Sequence, residues 1–235
     1  MRILLVSATA AEIGPVTAGL RRVDSSTRSR SFRAGDANRV TAYAAQGHDV
    51  DVLITGVGMV ATATWCSRAL TGERYDLVLN LGVCGSFDRS LAPGTVVHVV
   101  SDCLSELGAE DGDRFLSIHD LHLLDENEPP FVRGRLVNQT PPVSTTLASL
   151  PEVTGITVST VHGREQSIAS VTERFAPQVE SMEGAAFMYV CLVHGQSCAQ
   201  VRAVSNVVER RNRASWKLPE AIANLGATAL RMLSE

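Results

Sequence analysis

Short apolar runs alternate with longer stretches of small and polar residues along most of the chain. The runs are rich in β-branched residues and leucine, have about the length of a strand, and end at glycine, asparagine or charged residues. They predict strands at residues 2–7, 39–45, 50–56, 77–82, 95–102, 155–160, 177–181 and 199–206. The helical pattern covers residues 11–20, 59–70, 182–195 and 218–233. Pro15 is expected to interrupt the first helix early.

This alternation predicts an α/β fold. Strands that are apolar along their whole length are buried on both faces, so we expect a largely parallel sheet covered by helices on both sides. Residues 103–150 break the rhythm, because acidic residues, histidine and proline replace the periodic pattern. They predict a long excursion from the sheet, over a ligand or at a subunit contact. No repeat or low-complexity tract occurs, and residues 1–235 are expected to form one domain.

Composition and charge narrow the classes of protein. The chain is 45% hydrophobic and 20% charged, which is typical of a globular protein with a substantial core. A net charge of −4 argues against a surface for nucleic acid or for an anionic membrane. The apolar start is too short for a signal peptide, and no apolar run approaches the roughly 18 residues of a membrane span. We therefore expect a cytoplasmic protein.

The cysteines are scattered, odd in number and without a CxxC pair. Their contexts are mostly apolar, which favours buried free thiols in a reducing compartment. The residues concerned are Cys66, Cys84, Cys103, Cys191 and Cys198.

Two glycine-punctuated segments follow predicted strands. "TGVGMVATA" (55–63) matches the GxGxxA motif of dinucleotide-binding proteins. In those proteins the motif follows the first strand, and an acidic residue lies at the end of the second strand. Here the motif follows a later strand of the chain, and Asp76 lies before the next strand instead of at its end. A tight turn that lines a small-molecule cleft is favoured instead. In "NLGVCGSF" (80–87), Gly82 and Gly85 would expose backbone amides and carbonyls, with a plain turn as the alternative.

Residues 117–128, "SIHDLHLLDENE", contain the most metal-like spacing in the chain. His119, Asp120, His122 and Asp125 could be ligands, but HxxH spacing without a further ligand motif favours a solvated loop. We expect neither a metal nor a cofactor.

Two isolated glutamates are candidates for chemistry. Glu183 follows a predicted strand and begins a helix, whose positive N-terminus keeps a carboxylate ionised. An ionised carboxylate accepts two hydrogen bonds, which suits a vicinal diol such as that of ribose, although such a glutamate is also common in first helical turns. Glu12 lies in a stretch, residues 3–20, without a basic residue. It would therefore orient and deprotonate water rather than meet an anionic nucleophile.

Glu12, the glycine loop at 56–58, "NLGVCG", "ESMEGAAF" and "VRAVSN" occur in an order that resembles the nucleoside phosphorylase/hydrolase superfamily. Within it the chain is most similar to the nucleosidase branch, and there to the futalosine hydrolases. The resemblance spans nearly the whole chain. It implies a three-layer α/β sandwich with a twisted, mixed, partly closed sheet flanked by helices, and a homo-oligomer, a dimer or higher. The implied reaction hydrolyses the purine N-ribosidic bond of futalosine and releases hypoxanthine and dehypoxanthinylfutalosine, in menaquinone biosynthesis.

The resemblance also implies roles for the matched residues. Glu12 would activate the attacking water, Glu183 would hold the ribose hydroxyls, and Asn206 would face the N7 edge of the purine and be catalytic with the two acids. Further substrate-binding positions implied are Met182 beside the ribose, Ser205 beside Asn206, Arg202 near the water, and the backbone of Gly82, Val83 and Cys84.

The amide side chain of Asn206 indicates which purine base the site would accept. Hypoxanthine presents N7 and O6, two acceptors, to which the NH2 group of Asn206 can donate, whereas an ionised carboxylate would repel them. The adenosine-type nucleosidases carry aspartate where this chain has Asn206, and serine where it has Val83. This chain also has one residue between Glu180 and Met182 that those nucleosidases lack. The pattern therefore points to a 6-oxopurine.

Three alternatives stay open at this point. A methylthioadenosine/adenosylhomocysteine nucleosidase is the nearest, a purine nucleoside phosphorylase fits the acidic first loop less well, and a non-catalytic protein could bind a nucleoside and leave it intact. If the substrate is futalosine, Arg114, Arg133 or Arg135 are candidates to meet its remote carboxylate.

Overall fold

The structure, a computed structural model, describes residues 1–23 and 39–235. Its strands are β1 (Arg2–Ser7), β2 (Arg21–Arg22), β3 (Val40–Ala45), β4 (His48–Ile54), β5 (Leu77–Ser86), β6 (Val96–Asp102), β7 (Gly108–Asp111), β8 (Arg114–Ser117), β9 (Phe131–Val132), β10 (Arg135–Val137), β11 (Glu152–Thr157), β12 (Val179–Ser181) and β13 (Cys198–Val207). Its helices are α1 (Ala10–Ala18), α2 (Met59–Gly72), α3 (Thr145–Ala148), α4 (Glu165–Phe175), α5 (Gly184–Val193) and α6 (Leu218–Met232).

A mixed sheet forms the middle layer, and within the described residues it has eleven strands. β1 lies parallel between β4 and β5. β13 pairs parallel with β5 and antiparallel with β6. β11 then joins β6 to β12, whose residues pair antiparallel with the end of β5. Five strands thus close into a ring in the order β5, β13, β6, β11 and β12. The expectation of a largely parallel sheet is too simple, whereas the mixed, partly closed sheet is confirmed.

Helices cover both faces of the sheet. α1 and α6 pack together over one face, against a cluster that includes Leu5, Leu79 and Val201. α2 and α5 pack together over the other face, where the buried ring of Phe187 from α5 joins Leu4 and Leu53 of the sheet in one cluster. Because strand side chains alternate between the two faces, neighbours such as Leu4 and Leu5 enter different cores. This is the three-layer α/β sandwich.

Helix α1 differs from the prediction, because it runs through Pro15 without interruption. Thr9 caps its first turn, and the Glu12 side chain in turn accepts the backbone N–H of Thr9. The ring of Pro15 packs closely on α6, where a Cβ built on Gly226 would lie 2.6 Å from the Cβ of Pro15. This close helix packing compensates for the backbone hydrogen bond that proline cannot donate.

Residues 103–150 contain more regular structure than their composition predicts. β7 and β8 form a separate hairpin, while β9 and β10 extend the main sheet along β6. The excursion therefore leaves the sheet for only part of its length. Helix α4 was not predicted either, although Ile168, Val171 and Phe175 recur with helical spacing in its sequence.

All five cysteines are buried and none is paired, which confirms the prediction of buried free thiols. Burial raises the pKa of Cys66, Cys84 and Cys103 to about 12, so these thiols stay protonated and unreactive near neutral pH. In the described part of the chain, helices fall short of the length and apolar character that a bilayer span requires.

The contact between α1 and α6 generates a prediction about stability. Gly226→Ala should lower the free energy of unfolding by about 1–2 kcal/mol, because overpacking against Pro15 outweighs the gain in helix propensity. The matched control is Gly14→Ala in α1, where a Cβ meets nothing within 4 Å. It should raise the free energy of unfolding by roughly 0.5–1 kcal/mol. Urea denaturation measures both changes, and a stabilising Gly226→Ala would contradict the packing described here.

Candidate active site

A cavity of about 310 Å³ opens where β1, β5 and β13 end and the helices α1 and α5 begin. Of the residues expected in the site, seven line it: Glu12, Val83, Cys84, Met182, Glu183, Ser205 and Asn206. The other two, Gly82 and Arg202, lie beneath its wall, where Arg202 is 1% exposed. Residues from four separate parts of the sequence are therefore brought together.

Glu12 is held by three hydrogen bonds at the start of α1. Its Oε2 accepts the backbone N–H of Thr9 at 3.0 Å and the hydroxyl of Thr9 at 2.8 Å. Its Oε1 accepts the backbone N–H of Val83 at 3.1 Å. Three donors from two different elements fix the direction of this buried carboxylate. The remaining lone pairs of this carboxylate can accept a proton from water.

Glu183 is the N-cap residue of α5, but its side chain does not cap the helix. Ser181 Oγ and Thr157 Oγ1 accept the first helical N–H groups instead, at 3.1 and 2.7 Å. The Glu183 carboxylate is therefore free to line the cavity, where its Oε1 accepts the N–H of Gly58 at 3.0 Å. Gly58 has φ +95°, a backbone conformation that residues with a side chain rarely adopt. The GxGxxA loop thus positions an acid.

Arg202 is a buried cation next to both acids. Its Nη1 lies 3.9 Å from Glu183 Oε2. A Cβ on Gly82 would overlap this Nη1 and lie 3.1 Å from Glu12 Oε1, so only glycine leaves room for the guanidinium. Arg202 Nε donates to Gln200 Oε1 at 3.1 Å, and Nη2 donates to Asn80 Oδ1. The positive charge offsets two carboxylates that water cannot fully solvate.

A buried polar chain continues behind Arg202, and the sequence reasoning missed it. Gln200 Nε2 donates to Asp102 Oδ2 at 3.1 Å, which fixes the direction of the amide that supports Arg202. Burial raises the pKa of Asp102, while hydrogen bonds from Gln200 and Thr157 act in the opposite direction. The available signal was a polar residue in a strand with an apolar run: Asn80 in β5, Asp102 at the end of β6 and Gln200 in β13.

Asn206 lines the cavity near the end of β13, where it is paired with Gly85 of β5. The pairing of β13 with β5 shifts register between Val204 and Asn206, and this irregularity turns the end of the strand. Ser205 Oγ lies 2.7 Å from Asn206 Oδ1 and 3.1 Å from the carbonyl of Cys84. Asn206 Nδ2 donates to the carbonyl of Val207 at 2.9 Å, which leaves its second N–H for a ligand.

Beside Asn206, the wall contains residues that were not predicted. Glu180 lines the cavity and accepts two hydrogen bonds from His162, from the backbone N–H at 3.1 Å and from Nδ1 at 2.7 Å. Val161 and Trp216 supply apolar surface at the same end. Glu180 lies in the short strand β12, while Val161, His162 and Trp216 lie in loops after β11 and before α6, where the sequence has no periodicity to indicate which way a side chain points.

The other candidate segments lie outside the cavity. In the 117–128 loop, His119 Nδ1 contacts the carbonyl of Leu124 at 3.1 Å and its ring contacts Phe131 edge-on. Asp120 accepts hydrogen bonds from Ser117, which lower the pKa of its carboxyl. Among residues 1–23 and 39–235, no group of histidine, cysteine and acidic side chains has the arrangement of a metal site.

None of the three arginines suggested for a remote carboxylate lines the cavity. Arg135 donates to Ser101 and to the carbonyl of Gly155 and so supports the sheet. Arg114 lines a separate groove between the β7–β8 hairpin and α4. Arg133 lies in the tight turn between β9 and β10. The suggestion therefore has no support from the geometry.

The sequence profile of the Phosphorylase superfamily matches residues 2–234. The chain is 34% identical to a futalosine hydrolase of Streptomyces coelicolor over 187 residues, which cover 74% of each chain. It is 31% identical to a futalosine hydrolase of Acidothermus cellulolyticus, covering 94% of this chain and 86% of the relative. A 5'-methylthioadenosine/S-adenosylhomocysteine nucleosidase of Colwellia psychrerythraea is 27% identical, with 80% of each chain covered.

Solved structures share the fold at lower sequence identity. The 5'-methylthioadenosine/S-adenosylhomocysteine nucleosidase of Neisseria meningitidis, in complex with methylthio-immucillin-A, has a TM-score of 0.76, 16% identity and coverage of 99% of this chain and 98% of that one. The futalosine hydrolase of Helicobacter pylori has a TM-score of 0.72 and 16% identity, with 99% and 97% covered. The chain therefore belongs to the phosphorylase superfamily, in the branch that contains the futalosine hydrolases.

Proposed function

We propose that this chain, an N-ribosyl hydrolase, cleaves futalosine to hypoxanthine and dehypoxanthinylfutalosine, a reaction of menaquinone biosynthesis. One observation carries the proposal: a neutral amide, Asn206, lines the same cavity as the acids Glu12 and Glu183. The futalosine hydrolases among its relatives support the same substrate. We also propose that residues 1–235 form one nucleosidase domain, and that it works as a homo-oligomer.

The two acids suit the two parts of the ribose chemistry. Cleavage of the C1′–N9 bond develops oxocarbenium character on the sugar, which nearby negative charge stabilises. Glu183 accepts hydrogen bonds from the ribose diol, with Met182 packed beside the sugar. Glu12 accepts a proton from the attacking water, since its carboxylate is oriented by Thr9 and Val83. Arg202 keeps both carboxylates in place and helps to order the water.

The base end suits a 6-oxopurine. Asn206 donates its free N–H to the N7 and O6 edge and stabilises the charge that builds on the departing base. Ser205 holds the amide from behind. The backbone of Gly82, Val83 and Cys84 runs along β5 and lines the ribose and the base.

Three alternatives have less support. The nucleosidase of Colwellia psychrerythraea favours a methylthioadenosine/adenosylhomocysteine nucleosidase as second candidate, but adenine offers an amine donor where Asn206 also donates. A phosphorylase would need a cation for phosphate. Among the described residues, none that line the cavity is a lysine or arginine. A protein that only binds nucleosides would make no use of the water-activating geometry at Glu12.

The substrate is tested by product identity. Futalosine, aminofutalosine, inosine and methylthioadenosine are incubated with the protein in phosphate-free buffer, and free bases are separated by chromatography. We expect hypoxanthine from futalosine as the fastest release. Faster release of adenine from methylthioadenosine would replace the proposal with the second candidate, and a requirement for added phosphate would indicate a phosphorylase. Binding without any release would indicate a binding protein.

Glu12→Gln tests the acid that activates water. The amide keeps the shape of the side chain but cannot take a proton, so kcat should fall roughly a hundredfold or more while KM changes little. Glu165→Gln, an exposed change in α4, is the matched control and should retain full turnover. Near-full turnover of Glu12→Gln with hypoxanthine release intact would discard this mechanism.

Asn206→Asp tests the reading of the base. A carboxylate cannot donate to N7 and O6, so kcat/KM for futalosine should fall roughly ten- to a hundredfold, and less for aminofutalosine. Asn127→Asp, in an exposed turn, makes the same charge change as a control. An equal loss for the oxo and amino substrates would mean that Asn206 does not distinguish the two bases.

A further inference from the structure

A second, smaller cavity adjoins the candidate active site at its base end. Its volume is about 120 Å³, and five of its lining residues also line the first cavity: Gly85, Val161, Glu180, Asn206 and Trp216. His162 lines the second cavity and not the first. A planar base that passes Asn206 would therefore direct its far edge towards His162.

Asn206, Glu180 and His162 form one polar wall across this boundary. Asn206 Nδ2 and Glu180 Cγ each lie 3.5 Å from the point where a Cβ on Gly85 would be. Both side chains therefore lie next to the same glycine, which has no side chain to separate them. Glu180 is 4% exposed, and its two oxygens accept from the backbone N–H and the ring of His162. Glu180 therefore holds His162 beside Asn206.

The Glu180 contact also fixes which nitrogen of His162 carries a proton. A carboxylate only accepts hydrogen bonds, so Nδ1, 2.7 Å from Glu180 Oε2, is the protonated nitrogen of the neutral ring. Nε2 is then an acceptor. In the part of the chain that the structure describes, Nε2 has no hydrogen-bond partner, and the edge-on neighbour of the ring is Phe87. An acceptor is thus available on a residue that lines the same small cavity as Asn206.

We propose that His162 is a specificity-determining residue, whose Nε2 accepts the N1–H of a 6-oxopurine, and that Glu180 is its positioning residue. This inference rests on the proposed function and extends it. The edge of hypoxanthine presents N7 and O6 as acceptors and then N1–H as a donor. Asn206 donates to the first part, and His162 accepts from the second. A 6-aminopurine presents an amine donor and an N1 acceptor, so it mismatches both residues.

The measurement is the ratio of kcat/KM for futalosine to kcat/KM for aminofutalosine. His162→Phe keeps a ring but removes the acceptor, and should lower this ratio about tenfold through the oxo substrate. His162→Gln restores an acceptor oxygen and should recover part of the ratio. Glu180→Gln can donate to Nδ1 and so frees Nε2 to carry the proton, which should also lower the ratio. Phe87→Leu alters the apolar neighbour alone and should leave it unchanged.

Binding of the free bases, measured by calorimetry, separates this inference from the proposed function. If the wild-type protein hydrolyses none of the nucleosides, the proposed function fails. A loss of affinity for hypoxanthine relative to adenine in His162→Phe would still support a hydrogen bond from N1–H of the base to His162. An unchanged ratio and unchanged relative affinity in that variant overturn the inference. So does a ratio that Glu180→Gln abolishes and His162→Phe preserves, because Glu180 would then contact the base itself.

Discussion

Arg202 is a guanidinium buried beneath a cavity that has carboxylates in its wall, and the arrangement of the site depends on it. Glu12 and Glu183 are both buried and both ionisable, and two such charges in the wall of one cavity would repel each other without a cation. Removing one partner from a buried charge cluster typically costs about 3–5 kcal/mol, because the remaining charges lose their compensation. Gly82 makes the arrangement possible, since any side chain there would occupy the position of the guanidinium.

The closed part of the sheet delivers this arrangement. β5 and β13 run parallel through the ring, so Asn80, Gly82 and Cys84 are paired in register with Gln200, Arg202 and Val204. The same pair of strands supplies the supports of the cation at its middle, and Ser205 and Asn206 of the cavity wall near its end. The register shifts before Asn206, and the pairing then continues from Asn206 with Gly85 to Val207 with Ser86.

Each acid is oriented from outside its own element. Glu12 depends on Val83 of β5 as well as on its own helix cap, and Glu183 depends on Gly58 before α2. Gly184, the first residue of α5, leaves room for the buried amide chain, because a Cβ there would overlap Gln200 and Asp102. A helix N-terminus, a glycine turn and a buried amide chain thus act on the same pair of carboxylates, which is a form of preorganisation.

The sequence alone determined the elements with strong periodicity and the residue types of the chemistry. The buried strands and the helices α2, α5 and α6 follow from apolar spacing, and Glu12, Glu183 and Asn206 follow from their positions at the ends of elements. Only the tertiary structure decided the ring of strands and the pairing of β10 with β6, because pairing between distant strands leaves no local pattern. Helix α4 is different, since its sequence has apolar residues at helical spacing that the prediction did not use. The tertiary structure likewise decided the roles of Asp102, Gln200 and His162. Each is an isolated polar residue whose partners come from other strands or loops, and its role exists only once the chain has folded.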